Sequence, residues 1–455
     1  MPTIPLGLGD WESLSQNILR AKMRNMYVIQ NPTSADEISR IGRPTLTEFE
    51  NFAADPIVGA WREDNVLNDM WLLVTGTTLW EYDGVNFDEV GSIPGTDYPI
   101  FASTSSRVII VRDGIAYSYD GTTYNTVVMP DDALVSSVAS INGYFIFTVK
   151  DTQRFYWTEP GETDPDPLSF AEAERTPDTL VCVKILGDEL WFLGTKGVEV
   201  WQPTGDSDDP FVRIPARVYT ESCADAASAV QVSYNSAPAL CWVSREGAVI
   251  LAQGSPSVVS NGAVEEKLRS ASNLRAWTFK QLRNNFYVLT SASFTYVFDL
   301  NMNMWMRWDT YLKDYWRAHL GFQAGNVVYG FDSEAGIIWQ LTEGEDDDGT
   351  PVVRELSGFV PNLGRPEPCY NVALFCNVGW LGTYEDEPTV ELRWSDDNGT
   401  TFTPWIERNL GSIGQYKTDI WYRSLGQIKS PGRYFEFRYS GPGPFRLDFA
   451  TYNEE

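Results

Sequence analysis

The most informative part of the chain is Gly143–Gly205, which reads GYFIFTVKDTQRFYWTEPGETDPDPLSFAEAERTPDTLVCVKILGDELWFLGTKGVEVWQPTG. Short runs of alternating apolar residues are separated by turn residues and by one polar loop, DPDPLSFAEAERTPD. Alternation with a period of two, interrupted by Gly, Pro and Asp, predicts antiparallel strands. The same order recurs along the chain at about the spacing of a propeller blade.

The repeat is clearest in LWEYDG (Leu79–Gly84) and AYSYDG (Ala116–Gly121), where alternating aromatic residues precede an Asp-Gly turn signal. Weaker counterparts follow as far as GIIWQL (Gly336–Leu341). One marker residue per repeat gives steps of 37, 39, 44, 49, 48 and 41 residues, the markers being Trp80, Tyr117, Tyr156, Val200, Val249, Val297 and Ile338. This spacing predicts an all-β fold, a β-propeller of four-stranded blades. The number of blades is six or seven, depending on whether the first or last one is split to close the ring.

We expect three segments. Residues 1–55 form an N-terminal lead-in, in which Asn17–Met26 favours a short helix. Residues 56–343 form the propeller, which ends at the charged run GEDDDGT (Gly344–Thr350). Residues 352–455 alternate again, as in RYFEFRYS (Arg433–Ser440), and we expect a C-terminal β-sandwich-like domain there.

Composition narrows the class of protein. The chain has 455 residues, 14% of them aromatic, which favours half-buried strands. It has no apolar run near 18 residues, so no membrane span is expected, and its start does not resemble a signal peptide. The net charge of −28 makes it a poor clamp for phosphates. A strongly negative charge suits a wall past which DNA slides. The simpler interpretation is that the charge contributes to solubility in general.

The residues that usually carry chemistry are sparse. The five cysteines, Cys182, Cys223, Cys241, Cys369 and Cys376, form no CxxC pair, which argues against a disulfide framework and fits a reducing compartment. The one histidine, His319, has no nucleophile pattern nearby and is expected to be structural. The chain shows no P-loop, GxGxxG or HExxH motif. We therefore assign no catalytic, cofactor-binding or metal-binding residues and expect no cofactor.

Two sequence features leave an enzyme and a calcium-binding site as alternatives. Ser395–Phe402, SDDNGTTF, matches the Asp-box hairpin of sialidase propellers, in which Asp397 accepts backbone N–H groups and Gly399 takes a positive φ. The box occurs once and outside the predicted propeller, which favours a structural turn. The acidic runs Asp164–Asp166, Asp206–Asp209 and Glu345–Asp348 lack the EF-hand pattern and are expected to be solvated loop tips.

The order of these features resembles the tail nozzle, or packaged-DNA stabilisation, proteins of podoviruses. The resemblance rests on RNMYVIQNP (Arg24–Pro32), DPLSFAEAERTPD (Asp166–Asp178), LWFLGTKGVEVWQPTG (Leu190–Gly205) and the closing segment Trp421–Ala450. It implies a structural virion protein of a short-tailed phage and not an enzyme.

In that family, six copies form a tube below the portal and its ring of head-to-tail adaptor proteins. The resemblance therefore implies a homo-hexamer that extends the DNA channel, retains packaged DNA, alone or with a tail needle or plug, and passes the DNA at ejection without sequence-specific binding. Tailspikes or tail fibres attach around the tube. The implied location is the phage tail, after assembly in the host cytoplasm.

Two other functions fit the sequence. A β-propeller scaffold that binds other proteins shares the fold and differs in having partners outside the virion. A glycan-cleaving, sialidase-like propeller, for example a virion depolymerase, requires a cleft with two carboxylates and a cluster of arginines. We rank the nozzle first, the scaffold second and the glycosidase third.

Overall fold

The computed structural model describes residues 2–7, 9, 21–32, 34, 37–173, 178–344, 346–379, 388–441 and 445–453. Within these ranges the chain forms 40 strands and one α-helix, α1 (Gly262–Arg269), with short 3-10 helices at Leu67–Asp69, Pro130–Asp132 and Ala226–Ser228. The first four strands are β1 (Met23–Arg24), β2 (Met26–Gln30), β3 (Ile38–Gly42) and β4 (Thr45–Ala53). None of the described helices is long and apolar enough to cross a membrane.

The described residues contain seven four-stranded antiparallel units, the blades of a β-propeller. They are blade one, β5 (Ile57–Trp61), β6 (Trp71–Thr75), β7 (Thr78–Tyr82), β8 (Phe87–Ser92); blade two, β9 (Ile100–Ser103), β10 (Val108–Arg112), β11 (Ile115–Tyr119), β12 (Tyr124–Thr126); blade three, β13 (Val135–Ile141), β14 (Tyr144–Val149), β15 (Arg154–Trp157), β16 (Phe170–Glu172); blade four, β17 (Leu180–Leu186), β18 (Glu189–Gly194), β19 (Val198–Pro203), β20 (Phe211–Tyr219); blade five, β21 (Val230–Tyr234), β22 (Ala237–Val243), β23 (Val249–Ala252), β24 (Pro256–Val258); blade six, β25 (Arg275–Gln281), β26 (Asn284–Ser291), β27 (Phe294–Asp299), β28 (Met304–Arg307); and blade seven, β29 (Ala318–Ala324), β30 (Val327–Asp332), β31 (Gly336–Thr342) and β4.

The repeated sequence pattern occupies the same strand in every blade. All seven marker residues lie on the third strand of a blade, from Trp80 on β7 to Ile338 on β31. These strands recur clearly because each is followed or preceded by a short turn and contributes apolar side chains to the space between blades. The alternatives of six or seven blades are therefore resolved as seven.

Blade seven is built from both ends of the propeller segment. β4 pairs antiparallel with β31 from Thr45–Thr342 to Ala53–Gly336. The inner strands, the first of each blade, contact their neighbours from blade two through blade seven and on to blade one. One apolar cluster joins blades one and two, and another joins Ile57 and Trp71 of blade one to Phe331 and Ile338 of blade seven. The ring is thus closed by side-chain packing and by one mixed blade.

The remaining strands form a sandwich-like unit. They are β32 (Arg354–Pro361), β33 (Glu367–Pro368), β34 (Asn371–Cys376), β35 (Thr389–Ser395), β36 (Ile406–Asn409), β37 (Ile420–Arg423), β38 (Gln427–Ile428), β39 (Gly432–Tyr439) and β40 (Arg446–Tyr452). One sheet has the order β1-β32-β39-β35-β36 and the other β2-β3-β40-β34-β37. Leu356, Phe435 and Phe437 of the first sheet share one core with Val372 and Leu447 of the second.

The propeller and this sandwich are joined by hydrogen-bonded strands. β1 pairs with β28 of blade six on one side and with β32 on the other, so that the two units share a nine-stranded sheet. The division into 1–55, 56–343 and 352–455 stays a prediction. In the structure the N-terminal strands pair with both of the other segments.

The helix expected at Asn17–Met26 is not formed in the part of it that the structure describes. Residues 17–20 lie outside the described residues, and the segment after them contains β1 and the start of β2. Met23 pairs with Leu356, and Met26 pairs with Gly42 and is fully buried. Burial between strands from elsewhere in the chain outweighs the modest local helix propensity of this segment.

Candidate functional site

The propeller encloses a cavity of about 390 Å³ near the ring axis, where the inner strands begin. Its wall includes Ile100, Val135 and Leu180, the first residues of three inner strands. Its polar groups include Arg112, Asp113 and Asp225. A concave pocket with several convergent polar groups is the default candidate for a binding or catalytic site.

Two carboxylates in this cavity are bonded to each other. Asp113 accepts a hydrogen bond from the Asp97 carboxyl, which raises the pKa of Asp97 and lowers that of Asp113. Asp113 also accepts from the backbone N–H of Thr96 at 2.7 Å and of Asp97 at 3.3 Å. The pair therefore holds the connection between blades one and two against the Asp113 turn. Glycosidases instead keep their carboxyl groups at least about 5 Å apart with the sugar between them.

Arg112 stands beside this pair but offers little to a ligand. Its side chain is buried, and it donates to the backbone oxygens of Asp97 at 2.9 Å, Gly76 at 2.6 Å and Ile93 at 2.9 Å. A guanidinium bound to three carbonyls is a structural clamp. The cavity thus lacks the free arginine cluster that the glycan-cleaving alternative requires.

His319 is buried, and both of its ring nitrogens are engaged. Nε2 lies 2.7 Å from the carbonyl oxygen of Ile57, and Nδ1 lies 2.7 Å from a guanidinium nitrogen of Arg275. Arg275 in turn stacks on Tyr98 at 4.6 Å. Burial and the charge of Arg275 hold the pKa of His319 well below its usual value. The ring is therefore neutral and bonded on both sides, which supports the structural role that the sequence predicted.

The Asp-box forms the turn that its sequence predicted, between β35 and β36. Asp397 accepts from the backbone N–H of Thr400 at 3.1 Å and of Thr401 at 2.8 Å, and Gly399 has a φ of 81°. The hydroxyls of Ser395 and Thr401 also donate to this carboxylate, and together these bonds lower the pKa of Asp397 to about 2. Both carboxylate oxygens thus accept hydrogen bonds from within the turn.

The acidic runs bind groups of the chain itself, within a turn at Asp206 and across the fold at Asp164 and Asp347. Asp164 accepts from the N–H of Val128 at 2.9 Å, and Asp206 accepts from the N–H of Asp208 at 3.0 Å. Asp347 forms a buried ion pair with Arg43 at 2.6 Å, whereas Glu345 lies outside the described residues. In the described part of the chain, no three His, Cys, Asp or Glu side chains are placed to hold a metal ion. All five cysteines are free thiols, and four of them are buried.

Sequence reasoning missed the Asp97–Asp113 pair. The two residues are 16 positions apart, on either side of β9 and β10, and only the Asp-Gly dipeptide at Asp113–Gly114 marks one of them as a turn residue. Of the polar loop Asp164–Asp178, residues 174–177 lie outside the described residues. His319, Asp397 and the acidic runs lie on different elements of the fold and do not form one site.

Comparison with known families gives one match. The family model Phage_stabilise, described as bacteriophage P22 Gp10, beta-propeller, matches residues 2–344. This range holds the lead-in and the seven blades and ends before β32. No curated protein sequence matches the chain.

Solved structures with similar backbones are remote in sequence. The computationally designed Ika8 protein is 11% identical with a TM-score of 0.40 and covers 66% of this chain and 99% of its own. BBS1N in complex with ARL6DN is 9% identical with a TM-score of 0.44, covering 66% and 97%. Hsv2 of Kluyveromyces lactis is 10% identical with a TM-score of 0.36, covering 63% and 97%.

Proposed function

The chain belongs to the phage stabilisation family of β-propeller proteins, and from this premise we propose that six copies of it form the tail nozzle of a short-tailed phage. Membership of the family makes it a structural protein of a phage that stabilises packaged DNA. The proposal adds the hexamer, the position below the portal and adaptor ring, and the passage of DNA at ejection.

The match to the family over residues 2–344 is the observation that carries the proposal. The charge of the chain supports it. Six copies of a chain with a net charge of −28 sum to 6 × −28 = −168. A wall of that sign attracts no phosphates, so DNA passes it without the release of counterions that strengthens binding. A ring of lysines and arginines facing the lumen of the assembled tube would contradict this account.

The proposal includes partners on each side of the tube. The adaptor ring lies above the nozzle, a needle or plug closes it, and tailspikes or fibres surround it. It also includes the absence of enzymatic activity. The directly bonded carboxylates and the enclosed Arg112 of the axial cavity support that part.

Genome retention tests the proposal. Phage particles are assembled without this chain, and the DNA accessible to nuclease is measured before and after the purified protein is added. We expect the protein to join each particle in six copies and to make the DNA inaccessible. If the DNA stays accessible and the protein stays free, the nozzle assignment is wrong and the scaffold alternative takes its place.

A further inference from the structure

The face of the propeller that carries the first-to-second and third-to-fourth strand turns is electrically uneven. Blades one to four present exposed carboxylates there, including those of Asp83, Asp120, Asp164, Asp206 and Asp208. Blade six presents the opposite charge on the same face. A chain that is strongly acidic overall therefore has one side of this face that attracts the other side of a second copy.

The positive region centres on the turn Lys280–Arg283 between β25 and β26, which we call the basic turn. Lys280 and Arg283 are both exposed, and neither forms an ion pair with the part of the chain that the structure describes. Between them Leu282 is 61% exposed. Two free cations that flank an exposed leucine form a contact surface of mixed character.

A cavity of about 610 Å³ adjoins the basic turn, where blade six meets the sandwich. Leu282, Ile29 and Ile41 give it apolar lining. Its charged lining comprises Arg43, Arg354, Arg446 and Glu343, of which Arg43 pairs with Asp347 and Arg446 with Asp448. Arg354 is fully buried and donates to the backbone oxygens of Val352 and Gly441. Among the described residues, no carboxylate lies within ion-pair distance of it. The lining of this cavity therefore carries charges of both signs, and the exposed unpaired cations beside it among the described residues are Lys280 and Arg283 of the basic turn.

The matching surface is the loop Glu159–Leu168 of blade three, which we call the acidic loop. Glu159 and Glu162 are exposed, and Leu168 at its tip is 85% exposed. The tip is held in one conformation, because Asp166 accepts from the N–H of Leu168 at 2.8 Å and Asp164 accepts from the N–H of Val128 at 2.9 Å. A loop that is already ordered loses little entropy when it binds.

The two surfaces are separated by the ring itself. Blades three and six lie on opposite sides of the seven-bladed ring, so the acidic loop of one chain is far from the basic turn of the same chain. Two complementary surfaces on different sides of a protomer produce a head-to-tail contact, and repetition of that contact closes a ring when the rotation allows.

We propose that the basic turn and its adjoining cavity receive the acidic loop of a second copy of this chain, with Leu168 against Leu282 and the glutamates beside Lys280 and Arg283. This inference rests on the proposed function, since it supplies the contact between copies in the nozzle.

Disulfide trapping between two variants, each with one added cysteine in a background whose five native cysteines are replaced by serine or alanine, tests the contact directly. Full-length L168C and L282C proteins are mixed under mild oxidant, and the rate of cross-linked dimer formation is measured. The matched control replaces L168C by L363C, because Leu363 is 88% exposed and lies in the sandwich. We expect the first mixture to cross-link at least about tenfold faster, since docking raises the effective concentration of the two thiols. Equal rates would overturn the proposal.

Charge reversal provides a second readout on folded protein. E159K/E162K in the L168C chain, or K280E/R283E in the L282C chain, lowers the trapping rate, and the two reversed chains mixed together recover it. Loss without recovery overturns the pairing of these surfaces. The genome retention assay separates the two ideas. If the wild-type chain retains the DNA but L168C and L282C do not cross-link preferentially, the nozzle function stands and the proposed contact is wrong.

Discussion

His319 links three blades through its two ring nitrogens, because it lies on blade seven, bonds Arg275 of blade six and bonds Ile57 of blade one. The imidazole ring must stay neutral so that its Nδ1 can accept a hydrogen bond from the guanidinium of Arg275. A neutral histidine at this position therefore stabilises the region where the propeller closes.

The folding stability is expected to depend on pH through this residue. The pKa of His319 is lowered in the folded chain, whereas an unfolded histidine titrates near about 6.5. Its contribution is thus complete above pH 6.5 and is lost as the pH falls below that value, because the unfolded state then takes up the proton. Thermal unfolding at pH 7.5 and 5.0 measures this loss. The variant H319Q keeps a donor and an acceptor, and its stability should fall less than that of the wild type between pH 7.5 and 5.0. Equal falls in the two proteins would mean that other groups cause the pH dependence.

Asp397 stabilises its own turn and little else. We expect D397A to speed amide hydrogen exchange at Thr400 and Thr401, whose N–H groups it accepts, while the midpoint of global unfolding stays nearly unchanged. Because the pKa of Asp397 is about 2, the wild-type turn should stay protected at pH 4. E407Q, at an exposed position on β36, is the control. Unchanged exchange in D397A would show that the turn does not need this carboxylate.

Among the secondary-structure elements, strand β4 has a large effect on the fold. It completes blade seven, and Leu46 on it is buried among residues of the propeller and the sandwich. The backbone N–H of Leu46 donates to Asp347 at 3.0 Å, and Asp347 binds Arg43 just before the strand. A strand near the N-terminus is thus held by a buried ion pair and by an apolar core.

L46A is expected to destabilise the protein by about 2–5 kcal/mol, because it leaves a cavity in a packed core. The neighbouring exposed change E48A should alter stability by less than about 0.5 kcal/mol. Denaturant unfolding of the two variants gives both values. Equal stability of L46A and E48A would mean that the closure of blade seven contributes little to the fold.

For the whole molecule, the important feature is that the propeller and the sandwich share one core. Trp308 and Trp316, which follow blade six, belong to the same apolar cluster as Phe435 and Phe437 of β39. The nine-stranded sheet runs through both units. The family match ends at residue 344, whereas the core that it includes continues into the strands of the sandwich.

A chain that ends after Gly344 is therefore expected to fold poorly. It would expose the apolar faces of β1, β2 and β28 that the sandwich covers, and large exposed apolar patches promote aggregation. Soluble yield and near-ultraviolet circular dichroism, compared with the full chain, measure the effect. A soluble fragment with a cooperative unfolding transition as sharp as that of the full chain would contradict it.

The hairpins and the Asp turn could be predicted from the sequence alone. The seven markers fell on the third strands of seven blades, and SDDNGTTF predicted its turn, because hairpins and Asp turns are decided by residues close together in the chain. The assignment of β4 to blade seven, of β1 to both sheets and of Asp97 to Asp113 was decided only in the tertiary structure. Strands that pair with partners hundreds of residues away carry no local signal of the partner, and burial between those partners overrides their own propensity.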